Sequence, residues 1–172
     1  VVVMGTGEPF DNYENLAKFL HIIHDPNGLN LSMRNITVST CGLVPMIARF
    51  AEDFPQVNLA ISLHAVSNEM RDEIMPVNKA YPMETLLSAC RDYTQKTARR
   101  VTFEYTLVKG VNDSAEYARK LAARLQGMLC HVNLIPLNKV EETGYDTSER
   151  CAVLRFQQVL TECGIPATIR RE

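Results

Sequence analysis

Along the chain, short runs in which every second position is apolar alternate with longer stretches whose apolar positions recur at three and four residues. That alternation predicts repeated βα units. The predicted strands are Val1–Met4, Asn35–Ser39, Asn58–His64, Val101–Val108, His131–Leu137 and Ala167–Arg170. Between them, Leu16, Phe19, Leu20 and Ile23 line one face of a helix that Asn12 can cap and that Pro26 and Gly28 stop. Pro45 fits the first turn of a second helix, and Pro82 or Thr85 opens a third through Leu86, Leu87, Cys90 and Tyr93. Asp113 with Glu116 reads as a capping-box-like start for a fourth, while Thr147 or Ser148 caps a last helix that Gly164 ends.

The connections are too long and too helical for hairpins, so the fold class is α/β with parallel strands and helices outside. Such strands build either an open doubly wound sheet or a curved barrel, and five or six of them cannot close the eight-stranded version. Parallel strands covered on both faces read as continuous apolar runs, and these do not. Ile36 and Val38 separate from Asn35, Thr37 and Ser39; Leu59, Ile61 and Leu63 from Asn58, Ala60, Ser62 and His64. In the next strand Val101, Phe103, Tyr105 and Leu107 separate from Thr102, Glu104 and Thr106. Each strand therefore has one helix-packing face and one polar face, which predicts a wet or ligand-lined interior.

A length of 172 residues suits one domain, and 18 Lys plus Arg against 20 Asp plus Glu leave a net charge of −2, so no basic field advertises a nucleic-acid or membrane partner. No apolar run reaches the ~20 residues of a bilayer span and no signal peptide is visible, which points to a cytoplasmic protein. The five cysteines, Cys41, Cys90, Cys130, Cys151 and Cys163, show neither a C-x₂-C pair nor a dense disulfide framework and read as reduced, mostly buried thiols. Residue 1 falls inside the apolar run Val1-Val2-Val3-Met4, and the other end stops at Arg170-Arg171-Glu172 directly behind a strand. Both ends look cut from a longer protein, whose exposed sheet edges are expected to make this piece self-associate.

In both sheet alternatives ligands bind at the carboxyl ends of the strands. The segments at those ends are Met4-Gly5-Thr6-Gly7-Glu8-Pro9, Ser39-Thr40-Cys41-Gly42, Ser62-Leu63-His64-Ala65, Lys109-Gly110-Val111-Asn112-Asp113 and Leu134-Ile135-Pro136-Leu137-Asn138. Gly5 and Gly7 let the backbone bend, and Glu8 supplies a carboxylate suited to an ammonium group. His64 shares a face with Ser62 at a strand end. Glu104 reads as a paired interior carboxylate, His131 as structural at the far end, His21 and His24 as surface, and Asn112-Asp113 as a turn and cap. No Gly-x-Gly-x-x-Gly, Walker loop, metal-ligand pair or nucleophile elbow is present, so dinucleotide, nucleoside-triphosphate and hydrolase sites gain no support.

Taken in order, these clusters carry a resemblance. Gly5-Thr6-Gly7-Glu8-Pro9 resembles the Gly-Glu-Pro element of radical S-adenosylmethionine (SAM) enzymes. Together with the strand-end clusters, Arg71-Asp72-Glu73-Ile74-Met75-Pro76-Val77-Asn78, Phe103-Glu104-Tyr105 and Asn133-Leu134-Ile135-Pro136-Leu137-Asn138 are similar to the RlmN/Cfr group, the dual-specificity 23S rRNA and tRNA adenine-C2 methyltransferases. The resemblance implies a partial (β/α)₆ radical-SAM barrel, here without its first βα unit. It implies two cofactors, SAM and a four-iron, four-sulfur cluster held by a C-x-x-x-C-x-x-C loop, which together give a 5′-deoxyadenosyl radical. It also implies a cysteine, C-terminal to the barrel, that carries the methyl group, and a second that resolves the protein–RNA adduct.

The cluster loop would precede Val1 and the methyl-carrying cysteine would follow Glu172, so no catalytic or metal-binding residue is expected in this stretch, nor activity from it alone. What carries over is a SAM cradle: Gly7 and Glu8 at the methionyl ammonium, with Ser39, Ser62, Leu63, His64 and Asn138 as further contacts. Asn138 shares a face with Val132 and Leu134, so the break at Pro136 has to re-aim it. Cys41 stands where relatives often have a small polar residue. Implied partners are 23S rRNA, tRNA and an external electron donor such as flavodoxin or ferredoxin, with no membrane. The rival readings are a self-contained barrel lyase or isomerase using Glu8, His64 and Glu104, and a non-catalytic scaffold.

Overall fold

The computed structural model describes residues 1–138 and 145–170. Six strands form one parallel sheet: β1 (Val2–Val3), β2 (Thr37–Thr40), β3 (Asn58–Ser62), β4 (Val101–Leu107), β5 (Cys130–Pro136) and β6 (Ala167–Ile169). Their spatial order is their sequence order, so every crossover steps the same way and no switch point exists. A doubly wound sheet reverses its order at such a point, which leaves the barrel-type winding, open among the described residues between β1 and β6.

The helices are α1 (Tyr13–His24), α2 (Val44–Asp53), α3 (Asn68–Ile74), α4 (Met83–Thr97), α5 (Ala115–Leu125) and α6 (Arg150–Glu162). The face separation read from the sequence holds. Ile36, Val38, Leu59, Ile61, Leu63, Phe103, Tyr105 and Leu107 are fully buried under helix residues such as Ile47, Phe50, Leu86, Leu121 and Phe156. Opposite them Thr37, Ser39, Asn58, Ser62, His64, Thr102 and Thr106 are only half-buried, while Ala60 and Glu104 are buried.

Several helix starts differ from the expected ones. Asn12 precedes α1 but accepts from the Asn15 side chain instead of the helix backbone, and Glu8 caps the 3₁₀ turn Pro9–Asn12 that leads in. Ser114 caps α5 by accepting from Tyr117 N–H, whereas Asp113 turns back to accept from Gly110 N–H. Of the two candidate starts of α4, Pro82 holds the cap position. Glu149, not Thr147 or Ser148, precedes α6. Helix α3 had no predicted counterpart: its seven residues are too few to show a 3.6-residue period, and Ser67 starts it.

Cys90 and Cys130 are buried and Cys41 half-buried, but Cys151 and Cys163 are exposed, so the thiols are less buried than their residue type suggests. His21 and His24 lie on the exposed face of α1, and His131 bonds Thr168 at the N-terminal end of the sheet. Among the described residues strand β1 pairs only with β2; Val2 and Met4 at this edge strand are exposed, as are Phe19 and Ile22 on α1. No helix among the described residues is long and apolar enough to cross a membrane.

Candidate functional site

The polar face and the turns after β1, β2 and β3 line an open cleft of about 830 Å³. Gly7, Glu8, Ser39, Ser62 and His64 all line it, joined by Thr40, Cys41, Glu104, Ile135 and Arg170. Leu63 and Asn138 do not. Leu63 sits on the apolar face and is fully buried, so only its backbone faces this end of the sheet; Asn138 is exposed beyond the end of β5.

Glu8 organises one wall. One carboxylate oxygen accepts from Phe10 N–H at 3.0 Å and the other from Cys41 N–H at 2.6 Å, which pins the β1 turn against the β2 turn. Gly7, at φ +97°, makes the bend that delivers it. An ionised carboxylate has about four lone-pair directions, so acceptor capacity remains for a cationic ligand group. Beside it, burial and the neighbouring Glu8 push the Cys41 thiol up to about 12, which keeps it protonated and non-nucleophilic.

His64 ends the β3 wall in a left-handed conformation, φ +57°. Its N–H and that of Leu63 both donate to Glu104 C=O, at 3.2 and 3.1 Å. Its Nδ1 accepts from Thr106 N–H at 3.1 Å, which places the neutral ring's proton on Nε2. Burial, then the nearby Arg71 charge, lower its pKa from 6.5 to about 4. Glu104 is 7% exposed and accepts from Asn133 Nδ2 at 2.7 Å, so its interior partner is an amide rather than a cation. Burial raises its pKa against the opposing pull of Asn133 and Arg170.

The titration of His64 has a measurable consequence. The native state takes up the proton later than the unfolded chain, so its contribution is fully present above pH 6.5 and is lost as pH falls toward 4. The loss should reach about 3 kcal/mol at the acid end. Asn tolerates the left-handed backbone, so His64→Asn should retain the fold while losing this part of the slope. Urea denaturation of both proteins from pH 7 to 4 checks it; parallel curves would refute it.

Sequence reasoning quoted Arg71 and Asn78 only within a family-like segment and gave them no role, and it missed the structural weight of Asn112. Asn112 is not simply a turn residue: it is buried, accepts from Val108 N–H at 2.7 Å and donates to Thr106 C=O at 2.8 Å, which braces the strand end beside His64. Its place directly after a strand was the only signal. Among the described residues no three His, Cys, Asp or Glu side chains come together as a metal site.

A cleft of this kind at the carboxyl ends of sequentially ordered parallel strands defines a barrel-type cofactor-binding domain. A family model described as "Radical SAM superfamily" matches residues 1–122, and the chain belongs to that superfamily, whose cofactors are SAM and a four-iron, four-sulfur cluster. Within it the likeness is to RNA methyltransferases of the RlmN type. The chain is 52% identical over all 172 residues to a "Probable dual-specificity RNA methyltransferase RlmN" of Thermoanaerobacter sp. (strain X514), and 54% identical to the protein so described in Caldanaerobacter subterraneus subsp. tengcongensis. In each case the match covers 100% of this chain and 50% of the relative, so the chain spans about half the length of the curated relatives it matches. The crystal structure of a radical SAM methyltransferase from Sphaerobacter thermophilus superposes with a TM-score of 0.95 at 50% identity, over 98% of this chain and 50% of that one.

Proposed function

We propose that this chain is the SAM-binding section of a radical SAM RNA methyltransferase that methylates C2 of adenine in 23S rRNA and tRNA through a methyl-cysteine intermediate. The observation that carries the reading is the Glu8 carboxylate, fixed by two backbone donors at the cleft and still able to accept from an ammonium. The cleft volume lies in the ~300–1,000 Å³ range of small-molecule sites. Ser39 and Ser62 add hydroxyls and His64 adds a neutral Nε2–H donor, a set that suits an amino acid and a ribose. Leu63 acts through its backbone, and Asn138 reaches the ligand only if the segment after β5 turns inward.

When bound, SAM and the cluster supply the radical and the methyl group. The residues of this chain bind and orient. Glu8 receives the ammonium without giving up its backbone contacts, and His64 donates a hydrogen bond while remaining neutral at working pH. The cluster ligands and the methyl-carrying cysteine lie outside this stretch in this reading, so the stretch alone is inactive. RNA and a flavodoxin- or ferredoxin-type electron donor are partners of the longer protein. The open β1 edge would take up another strand, from a preceding βα unit or from a second copy, and light scattering of the isolated chain would register the latter.

The lyase or isomerase reading loses one member of its acid–base set. His64 Nδ1, the ring atom that would have to accept a proton, is blocked by Thr106 N–H. The test is a protein of the relatives' full length carrying this chain, loaded anaerobically with iron and sulfide and supplied with SAM, a reductant and unmodified rRNA or tRNA. Mass spectrometry of the digested RNA should find 2-methyladenosine. Its absence from both RNAs would overturn the reading.

A further inference from the structure

Arg71 is the largest fully buried side chain and has no carboxylate within ion-pair distance among the described residues. It lies on α3, and its planar fork meets four neutral oxygens. Nε donates to Leu63 C=O at 3.3 Å and Nη1 to Asn78 Oδ1 at 3.1 Å. Nη2 donates to Cys41 C=O at 2.6 Å and to Ser62 C=O at 3.1 Å. Asp72 does not pair with it directly; it accepts from Asn78 Nδ2 at 2.7 Å and so holds the amide whose oxygen faces the guanidinium.

A charge buried without a counter-ion is costly, so its environment has to return that cost through hydrogen bonds. The three carbonyls it meets belong to the ends of two adjacent parallel strands, where the ladder stops and C=O groups lose their partners. One guanidinium satisfies them all, and a monodentate ammonium could not reach the same set. The contacts extend to the third wall, because Cys41 gives its C=O to Arg71 and its N–H to Glu8. Glu8, Cys41, Arg71, Ser62 and Leu63 thus form one continuous chain of hydrogen bonds behind the cleft.

We propose that Arg71 is the positioning residue of this cleft: it touches no ligand and sets the spacing of the β2 and β3 turns on which Glu8, Ser62 and His64 depend. The inference rests on the SAM reading above and adds to it a residue that acts through backbone. Arg71→Lys keeps the charge and removes the fork. In a full-length protein carrying this chain, it should weaken SAM binding at least tenfold by calorimetry. It should also shift the amide NMR signals of Cys41, Gly42, Ser62, Leu63 and His64 in the absence of SAM.

Leu160→Ala, a buried position on α6 that lines no part of the cleft, serves as the comparison because it lowers stability without touching the site. It should leave SAM affinity and those amide signals unchanged despite a similar loss in Tm. If Arg71→Lys does not fold, Asn78→Ser frees one arm of the guanidinium and should still shift the Cys41, Ser62 and Leu63 amides. Wild-type SAM affinity in Arg71→Lys, or amide shifts no larger than in Leu160→Ala, would overturn the inference. A wild type that binds no SAM would instead overturn the proposed function, and the amide shifts would decide Arg71 by themselves.

Discussion

Gly42→Ala is expected to destabilise the protein by about 3 kcal/mol, the sum of backbone strain and overpacking at one residue. Gly42 sits at φ +106°, a conformation that side chains rarely adopt, so a Cβ is strained there whatever the space. The space is also missing. An added Cβ would lie 2.9 Å from Leu86 Cδ1 and 3.1 Å from Leu86 Cδ2, and Leu86 is itself fully buried in α4. The same Cβ would stand 3.6 Å from an Arg71 Nη, so relaxation of the turn pulls on the β2 and β3 clamp. Gly110→Ala is the comparison: its φ of +70° is strained too, but nothing lies within 4 Å of its Cβ. It should cost about 1 kcal/mol, the conformational part alone. Urea denaturation of the two variants separates strain from crowding, and equal losses would show that Leu86 yields.

The fold was legible wherever one residue's own chemistry decides its place. The alternation of Leu59, Ile61 and Leu63 with Asn58, Ser62 and His64 is a property of adjacent residues, and it survives folding because a strand exposes its two faces by turns. Caps were less legible. Asp113 and Ser114 are both good acceptors, and only the backbone path decides that Ser114 takes the cap while Asp113 closes the turn.

The site was half legible for a similar reason. Ser39, Ser62 and His64 could be placed on the polar face from strand period alone. The partnership of Glu8 with Cys41 spans 33 residues, and no local pattern announces it. Arg71 was hidden more deeply. It stood in the sequence only as part of the family-like segment Arg71–Asn78, with no role attached, and only the fold shows the orphan carbonyls that draw it inside.

Glu8→Gln should weaken SAM binding roughly ten- to a hundredfold, or about 1.5–3 kcal/mol, because it replaces a charge-assisted hydrogen bond to the methionyl ammonium. A glutamine also has one acceptor oxygen where Glu8 uses two, so either Phe10 N–H or Cys41 N–H must face an amide N–H. Some loss of stability therefore accompanies the loss of affinity. Ser62→Ala, which removes one neutral hydroxyl, should cost about 1 kcal/mol of binding.

The most direct measurement compares two ligands. Full-length protein carrying this chain is titrated by calorimetry with SAM and with 5′-deoxyadenosine, which lacks the methionyl group, in wild type and in Glu8→Gln. If Glu8 holds the ammonium, the substitution weakens SAM by the amount above and leaves 5′-deoxyadenosine within about a factor of two, since only the interacting pair is coupled. Equal SAM affinity in the two proteins, or equal losses for both ligands, would contradict the placement of the SAM ammonium at Glu8.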